Sequence, residues 1–583
     1  MLALGLALAQ SAAAATAPMP GVPTVGADGQ PLPKSLTDLA KPHLASARAI
    51  ALFRANPKVA AWLHRYPAAL TTDATYDKAT WTVNVFYTPA GEIATGKVDD
   101  LTGAVVEAWT GPQVAWGMAR GGTGAFGGAK INTPTVWLGF CAVFLVGLID
   151  WRRPLSLRTV DLLALLSFSV SLWFFNRGDV FTAVPLIYPG FAWLLARCLL
   201  IGRRNRGSRG SPVWPVWVLV GVTVFLVGFR VGLNVQDSNV IDVGYSGVIG
   251  AERIAHGQSP YGNFPIEGDR LACGPTDSAG EIRERIQTNG RCESANGQGD
   301  TYGPVAYEAY LPGYLVFGWS GRWDKLPAVH ATSLLWDAIC LVGLGLVGRR
   351  FGGAKLGATL AFAWAAWPFS QYVSSSNTND SIEPALLIWG FLFVTSPVAR
   401  GAFAGLSAWT KFAPLIVLPL WSGYPDARRG RPRVLFLLGF ALATAISFSV
   451  LLLEPSVWHA AVTAFHRTIG YQVGRSSPFS LWDWRQYHAA GLPDLHILQL
   501  ILQVMLVAGA VALAWWPRQR SPLQLAAYTA ALLIGFESVL TYWIYHYLAW
   551  FFPFAALAFL MPVAAGDEQL APAESDEGAH APA

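Results

Sequence analysis

The chain reads as an α-helical polytopic membrane protein carrying a small exported α+β domain at its N-terminus. Three observations predict this class. Of 583 residues, 53% are hydrophobic and only 13% charged, against about 25% charged in soluble globular chains. Apolar runs long enough to span a bilayer recur between residues 134 and 563. Short strand-like runs occur only before them. The net charge of +5 comes mainly from arginines in short loops between the apolar runs, the distribution that orients helices in a membrane, so it does not point to a nucleic-acid partner.

The opening residues, MLALGLALAQSAAAATAP, have the apolar stretch and small residues of a secretory signal peptide, with residues 1–16 as the segment removed. Residues 20–120 then form the exported domain. A helix is expected over 57–66, followed by strands at 81–88, 92–100 and 104–110 that are separated by Pro-Ala-Gly and Leu-Thr-Gly turns. Within it, GKVDDLTGAVVEAW resembles a PepSY-like repeat, with Asp99 and Asp100 as turn residues. Residues 121–133, beginning GGTGAFGGAK, read as a flexible linker; they lack the Gly-Lys-Ser/Thr ending of a phosphate loop.

A hydrocarbon core about 30 Å thick needs roughly 17–25 apolar residues per helix. Spans are expected near 134–150, 160–176, 182–201, 214–234, 329–348, 355–373, 384–398, 433–453, 497–516, 522–540 and 547–563. The first three are accessory helices (134–212) and the remainder form one module (213–565). Arginines follow the first, third, fifth, seventh and ninth spans, which places those loops in the cytoplasm and the N-terminal domain outside. Residues 303–320 contain Pro304 and Pro312 and lie at or re-enter the outer interface. Residues 401–421 run between Arg400 and the basic ARRGRPR at 427–433, so they form a re-entrant hairpin bending near Lys411-Phe412-Ala413-Pro414. The acidic residues 566–583 form a cytoplasmic tail.

Polar chemistry gathers in the outer loops. Asp237-Ser238-Asn239-Val240-Ile241-Asp242-Val243-Gly244-Tyr245 leads into a segment whose Tyr245, Val248 and Ile249 have helical spacing, as in a short helix lying on the surface. Further loops carry Ser376-Asn377-Thr378-Asn379-Asp380, His466-Arg467, Gln472 through Arg475, and Tyr545-His546-Tyr547. Cys273 and Cys292 share one loop, and an oxidising compartment would join them in a disulfide. Cys141, Cys198 and Cys340 fall in apolar spans and read as small hydrophobes.

The stretch from Asp242 to Tyr261, with Asp242-x-x-Tyr245 and Gly257-x-x-Pro260-Tyr261, resembles the opening of GT-C fold glycosyltransferases that use polyprenyl-phosphate sugars, most closely the family 87 mannosyltransferase-like group. Tyr302-Gly303-Pro304, the segment 376–380 and Gly405-Leu406 through Pro414 fit the same pattern, so the resemblance covers about residues 214–563. It implies transfer of a hexose such as mannose from a polyprenyl-phosphate donor to a glycan, lipid or protein acceptor at the outer membrane face; the excess of Arg over Lys separately points to a GC-rich bacterial source, and so to a bacterial plasma membrane. It also implies that Asp242, with Asp237 in support, is the general base. Asp242 could instead cap a helix.

Arg475, Lys411, His546 and Arg467 are the candidates for the donor phosphate; Tyr245, Gln472, Asn379 and Asp380 are those for sugar or acceptor. Other readings stand beside these. Arg475 could snorkel to the interface and His546 could belong to an aromatic belt. Lys411 could contact phosphate or pair with Asp337 or another buried acid, and Asn379 and Asp380 could cap a helix end. No cofactor or metal is expected, since the outer loops beside these residues carry no Asp-x-Asp pair. A transporter or flippase of lipid-linked glycans is the competing class; it would be expected to show paired repeats and broken helices.

Overall fold

The computed structural model describes residues 42–562, apart from 68, 123–125, 208–211, 267–268, 276–281, 324–325, 474 and 488–492. The expected signal peptide (1–16) and acidic tail (566–583) lie outside the described residues. The chain divides into two units, Met1–Val114 and Ala115–Ala583.

In the first unit, helices α1 (Ser46–Ala55) and α2 (Pro57–Leu63) precede four strands, β1 (Thr71–Asp77), β2 (Thr80–Tyr87), β3 (Gly91–Asp99) and β4 (Val105–Thr110). The strands form one antiparallel meander in the order β1-β2-β3-β4. Alternation places Trp81, Val83 and Val85 of β2 on the inner face, where they join Phe53 of α1 and Trp62 of α2 in the core. The helix expected over 57–66 is therefore the second of two. The β1 strand falls in a run without a clear apolar alternation: Thr71, Asp73, Thr75 and Asp77 make one face wholly polar, and Thr72, Ala74 and Tyr76 on the other are only half-buried.

Asp100 does more than turn the chain. Its carboxylate accepts the His43 and Leu44 N–H groups at 2.8 and 2.9 Å and the Trp81 indole N–H at 2.8 Å. These partners seal it completely. Its burial works against the charge, but the His43 and Leu44 N–H donors and the Trp81 and His43 side chains outweigh it and bring the carboxyl down to about 2. A depressed carboxylate stabilises the fold above its ordinary value near 3.8, and that contribution is lost as pH falls through about 2. Asp100→Ala is expected to cost about 1–3 kcal/mol. Faster amide hydrogen exchange at residues 43–44 and 81 of the full-length protein would register it; unchanged exchange would remove Asp100 as the anchor.

The second unit is mostly helical. Its main helices are α3 (Pro134–Leu148), α4 (Leu157–Phe175), α5 (Ile187–Arg204), α6 (Val216–Gln236) and α7 (Asp242–Ala255). A two-stranded piece follows, β5 (Glu284–Ile286) with β6 (Cys292–Ser294), and then come α8 (Pro327–Ala366), α9 (Pro368–Ser375), α10 (Ile382–Leu392), α11 (Pro397–Ala408) and α12 (Leu418–Ser422). The last are α13 (Gly430–Ser447), α14 (His496–Ala512), α15 (Pro522–Ser538) and α16 (Leu548–Leu560). Among the described residues, five helical stretches are long and apolar enough to cross a membrane: Leu157–Phe175, Val180–Arg204, Val216–Gln236, Pro327–Ala366 and Gly430–Leu453. Five shorter apolar helices accompany them. On α6, α13 and α14, large apolar side chains such as Phe225, Leu438 and Ile501 are exposed, the surface a bilayer would cover. Every residue of α16 is buried, as expected of a helix that is apolar all round.

α8 is two arms. It breaks at Gly352 and Gly353, and the arms meet where Gly348 faces the backbone of Gly357. Arg230 on α6 ties both arms together. Its guanidinium donates to Asp337 on one arm at 2.5 Å and to the Trp364 and Ala365 carbonyls on the other at 3.4 and 3.3 Å, while the Trp364 indole donates to the same Asp337 oxygen at 2.8 Å. Asp337 is thus the partner of Arg230 and not of Lys411.

Two further expectations change. The Gly-rich stretch proposed as a linker is packed into the second unit: Asn132 donates to the Phe126 and Gly128 carbonyls, and Lys130 N–H donates to Asp237. Helix α7 does not lie on the surface, because Tyr245, Val248 and Ile249 are buried and Gly247 and Gly250 sit against Tyr310 and Tyr307. Residues 303–320 make two short helices, Val305–Glu308 and Leu311–Phe317, each too short to cross. At 397–422 the chain leaves α11 at Ala408, bends through Trp409 to Phe412 and returns through α12. Arg400 closes the base of this hairpin by donating to the carbonyls of Val394 and Tyr424.

Candidate functional site

A cavity of about 200 Å³ opens where α7 begins, where the 409–412 bend turns, and where the 471–475 and 541–550 segments converge. Asp242, Asp380, Lys411, Gln472, Arg475 and His546 all line it. Asp237, Tyr245, Asn379 and Arg467 do not.

Asp242 is held by backbone pairing with the α9–α10 connection. Asn239 N–H donates to the Ser375 carbonyl at 3.0 Å. Asn377 adopts φ +51°, a left-handed conformation that Asn tolerates. There its side-chain amide reaches Ser238 Oγ at 2.9 Å and the Asn239 carbonyl at 3.1 Å. Gly244 then permits α7 to start against this loop, since a Cβ there would lie 2.1 Å from the Asn377 carbonyl oxygen. Gly244→Ala is expected to cost about 1–3 kcal/mol by overpacking, seen as a lower thermal unfolding temperature in detergent. Gly232→Ala, which would meet nothing within 4 Å, is the control and should not fall with it.

The N-cap position of α7 is Ile241, so Asp242 is the first helical residue and not the cap. Its side chain is exposed because it faces the cavity, while the protein around the cavity is deep enough to desolvate it. That burial raises the carboxyl above its ordinary range. The Arg475 guanidinium acts most strongly against the rise, followed by the Val243 N–H, Arg283 and Lys411.

Lys411 lies at the hairpin bend and pairs with Asp380 at 2.5 Å; the Trp550 indole donates to the same oxygen at 3.0 Å. Tyr302, Tyr547 and Trp550 surround the ammonium at 5.5, 4.9 and 5.2 Å from their ring centres. Gly303 makes this enclosure possible, since a Cβ there would lie 2.0 Å from the Trp409 carbonyl oxygen. Asp380 is thereby the acid that Lys411 requires, and its side chain is not a helix-end cap.

Arg475 lies over the Tyr542 ring at 3.4 Å, with Tyr471 and Trp116 further out. Among the described residues it makes no ion pair, and its Nε is buried without a hydrogen bond. It is therefore a cation held by aromatic faces inside the site and not a residue snorkelling to an interface. His546 is likewise inside: it is 1% exposed, stacks on Tyr372 with ring centres 4.8 Å apart and leaves Nε2 without a partner. Gln472 lines the cavity with an exposed side chain.

The remaining candidates have structural places. Asp237 receives the Lys130 N–H and anchors the Gly-rich stretch. Tyr245 is fully buried and stacks on Trp323 with centres 4.0 Å apart. Arg467 donates through Nε to Asp300 at 2.7 Å and also reaches the Gly297 carbonyl, pinning the loop before Tyr302. Asn379 is buried with Oδ1 unpartnered, outside the cavity wall. Cys273 and Cys292 form a disulfide beside β5 and β6. Among the described residues, no three His, Cys, Asp or Glu side chains are grouped as a metal site would need.

Sequence reasoning did not bring Tyr302, Tyr542, Tyr547 and Trp550 together as an aromatic wall: Tyr302 stood in a Tyr-Gly-Pro motif, and an aromatic belt was weighed only around His546. It also missed Arg230, an intramembrane charge that needs a partner and finds it in Asp337, 107 residues away. No family model matches the chain, and no curated protein or solved structure does either.

Proposed function

We propose that the chain is an integral membrane glycosyltransferase of GT-C type, crossing the bilayer about eleven times with a re-entrant hairpin, and that it moves a hexose from a polyprenyl-phosphate donor. The observation that carries this reading is the meeting of Asp242 and Arg475 in one cavity with no contact ion pair between them. A carboxylate with no salt bridge among the described residues suits a general base, and a guanidinium with spare donors suits a departing phosphate.

The acceptor hydroxyl gives its proton to Asp242 as its oxygen attacks the anomeric carbon. The bond from that carbon to the phosphate oxygen breaks, and the electron pair leaves with the polyprenyl phosphate, whose charge Arg475 meets. The cavity is smaller than the roughly 300–1,000 Å³ of drug-sized sites, which suits one sugar ring at a time. Aromatic walls offer apolar faces to a sugar, and the lipid-facing helices suit the polyprenyl chain. On this reading the cavity opens at the outer face of a bacterial plasma membrane, with the N-terminal unit outside and the C-terminal tail inside. The acceptor is a glycan, lipid or protein.

The test is reconstitution of the full-length protein with a radiolabelled polyprenyl-phosphate hexose and candidate acceptors. Transfer of label to an acceptor is the expected result. Movement of intact donor between leaflets, without transfer to any acceptor, would replace this reading with a flippase.

A further inference from the structure

A second and larger cavity, about 440 Å³, lies at the other end of the bundle and plays no part in the reaction proposed above. The length of α4 separates the two. It runs about 27 Å from Leu157 at this cavity to Phe175, whose ring meets Tyr545 beside His546. Among the described residues, Arg153, Arg158, Arg197, Arg204 and Arg206 line the second cavity, against Asp150 and Asp161 as its lining acids. Asp161 is already engaged: Arg197 holds it through two bonds of 2.8 and 2.9 Å, and the Trp193 indole donates to it at 2.9 Å. The cavity therefore carries an excess of positive charge that its own acids do not cancel.

Two features define what would fit. The N-terminus of the 19-residue α4 opens onto the cavity at Ser156 and Leu157, adding a positive helix end to the arginines. The rest of the wall is apolar, with Leu200, Ile201, Ala558 and Phe559. Beside it, Leu155 and Leu157 are exposed where an acyl chain would lie. We propose that this cavity binds a phosphate group, supplied by the headgroup of an anionic phospholipid. Basic pockets between membrane helices have the charge and depth for such headgroups.

The experiment uses the purified full-length protein in detergent, titrated with phosphatidylglycerol, phosphatidylcholine or inorganic phosphate and followed by native mass spectrometry. A saturable phosphatidylglycerol adduct is expected, with none for phosphatidylcholine. The double variant Arg153→Gln/Arg204→Gln should weaken it about thirtyfold. Both side chains are exposed, so folding should survive. The control variant Arg428→Gln/Arg431→Gln should bind as the parent does. Displacement of the lipid by equimolar inorganic phosphate would keep the phosphate site but make its source a soluble ion. Equal retention by the double variant would overturn the proposal. So would lipid binding that arises only after residues 566–583 are removed, because the acidic segment would then be the occupant.

Discussion

Asp242→Asn is expected to lower sugar transfer by about 10²–10⁴-fold in the reconstituted assay, with the protein folded as before. Asparagine keeps the shape and cannot take the acceptor proton. Folding should not suffer, because burial raises the Asp242 carboxyl above its ordinary range. A carboxyl raised in the folded state disfavours folding at pH values above its folded pKa, so removing the charge leaves thermal unfolding at neutral pH unchanged or raises it. The same shift gives a pH signature. Transfer in the parent should fall as pH drops through the raised Asp242 value. Arg475 is the cation that most strongly opposes the rise, so Arg475→Gln should move this acid limb to higher pH in addition to slowing transfer. An acid limb that stays in place in Arg475→Gln, or a parent-like rate in Asp242→Asn, would remove Asp242 as the base.

Which parts of this site could be read from sequence follows from how local each interaction is. The apolar runs at 214–234 and 433–453 meet helices at Val216–Gln236 and Gly430–Ser447, because a helix buries an apolar run through contacts a few residues apart. The bend at Lys411 to Pro414 was legible for the same reason: a basic residue on each side and a proline within are local facts. The partners were not. Arg230 and Asp337 are separated by 107 residues, and Lys411 and Asp380 by 31. Burial demands a partner for each charge but does not say which. Asp242 could be placed at a helix start, whereas the Gly244 and Asn377 contact that sets its position is a backbone approach between distant segments. Asp237 and Arg467 show the opposite error. Both are polar residues near an apolar run, and both serve the architecture by holding Lys130 and Asp300.

Lys411→Met is expected to destabilise the fold by about 3–5 kcal/mol, the cost of stranding one member of a buried ion pair. Asp380 is 2% exposed and would keep only the Trp550 indole and local donors. The double variant Lys411→Met/Asp380→Leu removes both charges and is expected to recover most of that loss, because a buried pair contributes little net stability beyond apolar packing of similar volume. The two variants separate two roles for Lys411. Its charge is cancelled across 2.5 Å by Asp380 and spread over three aromatic rings, so the pair meets a departing phosphate as a nearly neutral unit. Arg475 has no such acid among the described residues. The double variant should therefore fold and transfer sugar within about tenfold of the parent, whereas Arg475→Gln should lose about 10²-fold or more, as removing one transition-state donor does. Thermal unfolding in detergent and the reconstituted rate, measured on the same preparations, decide it. A double variant that folds but transfers no better than Arg475→Gln would make Lys411 a direct phosphate ligand, with Asp380 displaced when the donor binds.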